Sequence, residues 1–200
     1  MKKYKKVHLF DELTHKDILH SLYLTQCSLL AFTGIGIYLL FDSFFDFFRL
    51  FDWSDWRLLF GAIGGLAVVL LDVCFMKWLP RCYFDDGGIN QKLFSHLSIV
   101  SIIGVTALIA FTEEMFFRGV LQTQFGFLAA SILFALAHIR YLSNWFLTVN
   151  IFFLSFGFSC LYEWTGNLAV TVVMHFVIDC GLGMIIRFKE KRKSAKRDDK

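Results

Sequence analysis

Apolar residues in this 200-residue chain are grouped into long, almost uncharged stretches and do not alternate with polar residues. A helix needs about 20 consecutive apolar residues to cross a hydrocarbon core, and six stretches come close to or reach that length. Backbone groups in lipid must form hydrogen bonds within their own segment, which favours helices over strands. The pattern therefore predicts an all-α fold, a polytopic transmembrane bundle of about six membrane-spanning helices. The predicted spans are residues 22–41, 58–76, 93–112, 119–139, 141–162 and 164–186.

The composition supports this fold class and excludes others. Hydrophobic residues make up 56% of the chain, 25 residues are Phe, and only 18% are charged. A soluble domain of this size could not hide so many aromatic rings while presenting so few charges to water. Intrinsic disorder requires low hydrophobicity, and nucleic-acid binding requires a folded basic face, so neither class fits. The chain is predicted to be an integral membrane protein.

Basic residues are distributed unevenly between the two sides of the predicted bundle. With both termini in the cytoplasm, the cytoplasmic segments hold 17 of the 20 Lys and Arg residues, as the positive-inside rule requires. We expect a bacterial plasma-membrane protein whose single transmembrane domain (1–200) begins with a basic segment (1–17) and ends in a basic tail (187–200). The tail is interpreted as a solvated topology anchor rather than a lipid-binding or nucleic-acid-binding segment. The expected partners are the bilayer and no nucleic acid.

The connection after the first predicted span mixes aromatic and acidic residues. Residues 42–57 read DSFFDFFRLFDWSDWR, with Phe and Trp at short spacing from Asp. Such a segment is predicted to lie along the membrane surface, with its rings towards the lipid and its carboxylates towards water. The Asp residues lack the ligand spacing of a calcium loop, so interfacial anchoring is the favoured role.

Ionisable residues within the apolar stretches are the candidates for function, because each costs about 2.5–3.5 kcal/mol to insert at the membrane centre. Glu114 and Arg118 are four residues apart, so they share a helix face and can neutralise each other. Glu113 points about 100° away and lacks such a local partner. This leftover carboxylate is a candidate general base. A purely structural polar network is equally compatible with this group alone.

Two histidines extend the set of candidates. His138 shares a helical face with Phe134, and His175 shares one with Asp179, whose carboxylate can orient the imidazole. Counted at 1.5 Å per residue from the predicted helix ends, these groups and Glu113 lie in one layer near mid-membrane. A carboxylate and two imidazoles at one depth are groups that can activate water for attack on a carbonyl.

Three strings in the predicted core (93–186) resemble the motifs of the CPBP family. These strings are EEMFFRG (113–119), SILFALAH (131–138) and MHFVID (174–179), in the family's order on successive helices. The family contains CAAX-type prenyl-protein endopeptidases and proteins of bacteriocin processing or self-immunity, also called Abi proteins. The resemblance covers about a third of the chain and implies an intramembrane endopeptidase that cleaves a peptide or protein substrate at the membrane.

The resemblance also implies roles for individual residues. Glu113 would activate the attacking water and His138 would help to hold it, while His175 and Asp179 would stabilise the oxyanion. By the same resemblance, Glu114 belongs to the catalytic set, and Arg118 and Phe134 support it. The prenyl-protease branch usually has Asn at the last position. An ionised Asp179 cannot donate a hydrogen bond and would instead orient His175 or help to hold a metal.

The sequence leaves the metal question and one functional alternative open. Glu113, His138 and His175 could form a zinc site with an open coordination position. The zincin HExxH pattern is absent, and a metal-free, glutamate-dependent hydrolysis is favoured. The main alternative to an enzyme is a non-catalytic immunity or scaffold protein of the same fold. A proton-relay transporter is less compatible, because broken helices and inverted repeats are absent. The oligomeric state is left undetermined.

Overall fold

The computed structural model describes residues 13–198, so most of the basic segment 1–17 lies outside the described residues. No strand occurs in this part of the chain, and the all-α prediction is confirmed. Five of its helices are long and apolar enough to cross a membrane. The helices in chain order are α1 (His15–Leu40), α2 (Phe44–Phe48), α3 (Leu58–Trp78), α4 (Ile89–His96), α5 (Ile99–Phe125), α6 (Phe127–Ala137), α7 (Trp145–Thr165) and α8 (Leu168–Asp198).

The predicted fourth span, residues 119–139, is wrong. Residues up to Phe125 belong to α5, and the chain then turns at Gly126, which has a φ of 85° that side chains with a Cβ rarely adopt. The remainder is α6, whose 11 residues are about 17 Å long, too short to cross the hydrocarbon core. The polar residues Gln122, Thr123 and Gln124 precede the break, but no charged residue and no proline within residues 119–139 marks it.

The predicted third span also begins and ends at the wrong residues. Residue Leu93 belongs to the separate helix α4, and the span itself begins after Ser98, whose hydroxyl accepts a hydrogen bond from the Ser101 N–H. This N-cap satisfies one of the free donors at the helix start. The helix then continues past Thr112 to Phe125, which places Glu113 about 21 Å from its beginning and about 18 Å from its end. Glu113 therefore lies near the middle of this helix.

The bundle has two ends, which we name by their contents. The basic end is where α1, α5 and α7 begin, and the loop end is where α3, α6 and α8 begin. Helix α8 is central, because it packs against α3, α4, α5 and α7. A side chain at mid-depth on α8 is therefore surrounded by the rest of the bundle.

Small residues allow α3 to approach α8 closely. A Cβ on Gly65 would stand 2.7 Å from the Met174 carbonyl oxygen, and one on Gly61 would collide with the Val170 carbonyl oxygen. Spacing of two glycines by four residues is a common way for membrane helices to bring their backbones into contact. This contact positions the α8 segment that carries His175.

Asn167 ties the start of α8 to the loop-end connection. Its side-chain amide donates to the Asp52 carbonyl oxygen at 2.8 Å and to an Asp55 carboxylate oxygen at 3.2 Å. Its own oxygen accepts from the Asp52 and Ala169 N–H groups. The Arg57 N–H, the Asn167 amide and the Arg57 guanidinium hold the pKa of Asp55 below its usual value, against the effect of burial. The ionised carboxylate thus fixes the depth of α8.

The surface prediction for residues 42–57 needs correction for two side chains. Phe47 does not face outward but is fully buried, in the space left by the missing side chain of Gly119. Asp55 is buried too, because it accepts the bonds of Asn167 and Arg57. The exposed rings of Phe44, Phe45, Trp53 and Trp56 remain compatible with contact to lipid. Phe47 and Asp55 are buried because they contact residues distant in sequence, and local spacing does not reveal such contacts.

The close α3–α8 contact predicts that two glycine substitutions differ in their effect on stability. We expect Gly65→Ala to destabilise the protein by about 1–3 kcal/mol, the usual cost of overpacking. The matched control is Gly104→Ala, whose Cβ meets nothing within 4 Å and which should be neutral or slightly stabilising. Thermal unfolding of the detergent-purified variants measures both, and equal melting temperatures would contradict the contact.

Candidate active site in the membrane

The segment that carries the paired glutamates changes its helical form. Glu113 and Glu114 end the α-helical part of α5, and Met115–Gln122 follows as a π-helix. Such wider turns are frequent at functional sites. Just before the pair, the buried Thr112 hydroxyl donates to the side-chain oxygen of Gln26 on α1. Helix α1 therefore contributes a polar contact next to the glutamates.

Glu114 is at the centre of a buried ionic network. It is fully buried, and one of its oxygens is 3.1 Å from Arg118 Nη1 and 3.0 Å from His175 Nδ1. The predicted Glu114–Arg118 pair is therefore confirmed. The sequence did not predict the contact between Glu114 and His175. The two residues are 61 positions apart, and local spacing does not connect them.

The Arg118 guanidinium is surrounded by partners on three helices. Its Nη2 donates to the carbonyl oxygen and hydroxyl of Ser155 on α7, at 3.1 and 3.3 Å. Its Cζ lies 4.3 Å from the centre of the Phe134 ring and 5.0 Å from that of Phe158. Aromatic faces attract a desolvated cation. Phe134 supports the network as expected, whereas Ser155 and Phe158 were missed.

Ser155 belongs to a series of buried polar side chains between α5, α6 and α7. Ser155 donates to the Ser131 carbonyl oxygen, and the Ser131 hydroxyl donates to the Ser159 hydroxyl at 2.8 Å. Gln122 reaches the Ser159 carbonyl oxygen at 2.9 Å. Such residues are not found when only the ionisable side chains within apolar stretches are considered. The four-residue spacing of Ser155 and Ser159 within an apolar stretch was the signal that could have found them.

Glu113 faces a different partner from its neighbour. Its Oε2 is 4.0 Å from His138 Nε2, and this oxygen is buried without a hydrogen-bond partner among the described residues. The Glu113 and His138 side chains are 12% and 20% exposed, whereas those of Glu114 and Arg118 are 0% exposed. Of the two glutamate side chains, only that of Glu113 is partly exposed.

The tautomer of His138 follows from its other contact. His138 Nδ1 lies 2.9 Å from the Phe134 carbonyl oxygen, which can only accept, so Nδ1 carries the proton. In the neutral ring Nε2 is then an acceptor directed towards Glu113. Two acceptors cannot hydrogen-bond to each other, and a water molecule that donated a proton to each would satisfy both.

His175 lies between two carboxylates. Its Nδ1 contacts Glu114, and its Nε2 is 3.5 Å from an oxygen of Asp179, one turn further along α8. The predicted His175–Asp179 pair is therefore formed, with the carboxylate able to orient the ring. Asp179 is 29% exposed, so this end of the network is open.

The predicted metal candidates do not form a ligand set. Glu113 and His138 face each other, but His175 directs its two nitrogens to Glu114 and Asp179. Within residues 13–198, no three His, Cys, Asp or Glu side chains are grouped so that they could hold a metal ion. The donors as arranged therefore do not fit the zinc site.

A cation lies between the network and the basic end. Arg140 donates to Tyr141 at 2.8 Å and to Asn90 at 3.2 Å, and the Tyr141 ring stacks against His138. Burial acts to lower the pKa of Arg140, but interactions with Tyr141, Asp86 and Asp179 outweigh it and raise the pKa. Arg140 therefore stays charged and contributes a positive field at the open side of the network.

Comparisons with known proteins match the part of the chain that carries this network. The family model described as Type II CAAX prenyl endopeptidase Rce1-like matches residues 95–181, which include all the candidate residues. The Bacillus subtilis (strain 168) protein YpbD, itself uncharacterised, is 47% identical over 154 residues, which are 76% of this chain and 82% of the relative. No solved structure matches the chain.

The fold and the site define an integral, polytopic α-helical membrane protein with a polar network of glutamate, histidine and arginine side chains at mid-depth. Within that class, the chain belongs to the Rce1-like family of type II CAAX prenyl endopeptidases.

The Glu114–Arg118 pair predicts a large difference between two arginine substitutions. Arg118→Ala leaves the Glu114 carboxylate buried without its cation, which typically costs about 3–5 kcal/mol. The control is Arg49→Ala, which removes an exposed partner of Asp46 and should change stability by about 1 kcal/mol or less. Folded protein in membranes and its melting temperature in detergent measure the difference. Equal stability of both variants would contradict a structural role for the pair.

Proposed function

We propose that this protein is an intramembrane endopeptidase that hydrolyses a peptide bond of a membrane-associated peptide or protein with a glutamate-activated water. The observation that carries the proposal is the unequal environment of two adjacent carboxylates. Glu114 is fully buried and neutralised by Arg118, whereas Glu113 keeps an unpartnered oxygen opposite the acceptor nitrogen of His138. A water between Glu113 and His138 donates to both and directs a lone pair outward.

Hydrolysis then proceeds without a covalent enzyme intermediate. The water oxygen attacks the substrate carbonyl carbon as Glu113 takes its proton, and His138 holds the second hydrogen. The C–N bond of the tetrahedral intermediate breaks, and the proton on Glu113 passes to the leaving nitrogen. Substrate and water supply all the atoms of the two products, and Glu113 returns to its ionised state.

His175 is the proposed oxyanion donor. Its Nδ1 proton is held by Glu114, which Arg118 keeps in place, so the ring orientation is set before substrate binds. With a proton on each nitrogen, the imidazolium has an Nε2–H, 3.5 Å from Asp179, that can also donate to an oxyanion developing beside this carboxylate. Asp179 in this chain orients the imidazole, a role that an ionised carboxylate can perform. Glu114 and Arg118 act as positioning residues, because neither is accessible.

The location proposed for the enzyme is a bacterial plasma membrane, with the basic end of the bundle and both termini in the cytoplasm. The support is the distribution of basic residues, 17 of 20 of which then lie on that side. Substrates reaching Glu113 would be hydrophobic segments or lipid-associated peptides, because the site lies at mid-depth.

The proposal predicts loss of proteolysis in Glu113→Gln, by at least about 100-fold, since a general base contributes about 10²–10⁴. New peptide termini in membranes from cells producing wild-type or variant protein, at matched abundance, are compared by mass spectrometry. The control is Glu163→Gln, the same chemical change at an exposed position of α7. We expect termini that depend on wild type and Glu163→Gln but vanish with Glu113→Gln.

Identical termini in all three samples, with the proteins inserted and folded, would contradict the protease. The alternative of a non-catalytic immunity or scaffold protein would then stand, and co-purification of a partner by Glu113→Gln would be the next measurement.

A further inference from the structure

Tyr141 stacks against the imidazole that faces Glu113, and no step of the proposed hydrolysis uses it. His138 is the first residue after α6, and a 3₁₀ turn formed by Ile139–Tyr141 follows it. The Tyr141 N–H donates to the His138 carbonyl oxygen at 2.9 Å. Side chains three residues apart eclipse each other in a 3₁₀ turn, so this turn brings the two rings together. Their centroids are 5.8 Å apart, and their planes differ by 23°.

The hydrogen bond that fixes the tautomer of His138 does not by itself fix the plane of the ring. The Phe134 carbonyl oxygen holds one atom, Nδ1, whereas rotation about χ2 of a histidine is only weakly restricted. Contacts with two aromatic rings restrict it here, those of Phe134 at a centroid distance of 4.7 Å and of Tyr141. When the plane turns, Nε2 moves relative to Glu113. The Tyr141 ring therefore limits the directions in which Nε2 can point.

The Tyr141 side chain is itself held from a distant part of the chain. Its hydroxyl accepts from Arg140 Nη2 at 2.8 Å and from the Asn90 side-chain amide at 3.3 Å. Arg140 Nη2 also donates to the Asn90 side-chain oxygen at 3.2 Å, so the three side chains form a closed set of hydrogen bonds. Asn90 lies on α4, and its N–H donates to the Asp86 carboxylate at 3.0 Å. The place of the Tyr141 ring therefore depends on α4 and on the connection before it.

The backbone around Tyr141 has separate supports. Its carbonyl oxygen accepts from the Thr148 hydroxyl of α7 at 2.8 Å. The buried Asn144 side chain donates to the carbonyl oxygens of Cys82 and Tyr83, at 2.9 and 3.1 Å. These bonds do not involve the Tyr141 hydroxyl. Removing the hydroxyl alone therefore tests the side-chain contact while the loop keeps its other attachments.

We propose that Tyr141 is a positioning residue for His138, and that Asn90 and Arg140 act through its hydroxyl. The ring of Tyr141 keeps His138 Nε2 directed towards Glu113, so that a water between them is held in one position before substrate binds. The effect on hydrolysis rests on the proposed function, whereas the fixed orientation of the imidazole does not. Asn90 on α4 thus affects the site through the stacked rings, although it is not a catalytic residue.

The orientation of the ring is tested without a substrate, by nuclear magnetic resonance of the full-length protein with isotopically labelled histidine in detergent micelles. The His138 signals are assigned by their loss in His138→Gln, and relaxation of the Cε1–H group measures ring mobility. We expect one Nδ1-protonated ring of restricted mobility in wild type and a mobile ring in Tyr141→Leu. Tyr141→Phe keeps the aromatic ring and should lie between them. The control is Tyr38→Leu, at an 85% exposed position of α1, which should leave the His138 signals unchanged.

The role of the hydroxyl is tested by Asn90→Ala and by its combination with Tyr141→Phe. Each single variant should increase the mobility of the His138 ring. The double variant should be no more mobile than Tyr141→Phe alone, because both changes remove the same contact. Additive increases would overturn the role of Asn90. A ring as restricted as in wild type in folded Tyr141→Leu would overturn the proposal. If Tyr141→Leu does not fold, unchanged mobility in both Tyr141→Phe and Asn90→Ala would overturn it.

The effect on hydrolysis is measured with the substrate that the Glu113→Gln comparison identifies. We expect Tyr141→Leu to lower kcat about tenfold, less than the roughly 100-fold cost of a 1 Å misplacement. KM should stay close to that of wild type, because the change acts on the water and not on substrate binding. Tyr141→Phe should recover most of the loss. Wild-type kcat in Tyr141→Leu would overturn the positioning role and leave the role of Glu113 in place. If proteolysis is not found, the mobility of the His138 ring still decides whether Tyr141 orients it.

Discussion

The rest of this structure depends on one buried ion pair between Glu114 and Arg118, in the middle of an apolar bundle. Removing two charges from water is expensive, and attraction between them compensates only when the remaining donors and acceptors are also satisfied. The bundle meets this condition with Ser155 on α7, His175 on α8 and the Phe134 ring on α6. Three helices are therefore held in register around α5 by the need to accommodate a guanidinium.

The same pair explains why adjacent glutamates have different properties. Glu114 is fully buried and contacts both Arg118 and His175. Glu113, turned to another face of α5, retains an unpartnered oxygen and faces His138. Arg118 thus neutralises one of the two carboxylates, and the other has no ion pair with an arginine or lysine among the described residues. The histidines differ in the same way, since one is fixed by a carbonyl oxygen and the other by carboxylates.

Both ends of the bundle act on the helix that carries His175. At the loop end, Asn167 binds the connection that precedes α3, and along the helix the α3 glycines bring the two backbones together. At the basic end, Arg187 attaches α8 to α4 through the Ser95 carbonyl oxygen. The position of the imidazole along the bundle is therefore determined by contacts far from it.

Sequence alone determined the helical membrane class and the local Glu114–Arg118 and His175–Asp179 pairs, because hydropathy and four-residue spacing are properties of a single helix. It did not separate the helices at Gly126, since no charge or proline marks the turn, which depends on a positive φ at that glycine. Only the tertiary structure decided that His175 contacts Glu114, and that uncharged Ser155 completes the arginine site. Those contacts join helices distant in sequence, and their partners are selected by packing and by the need to satisfy buried polar groups.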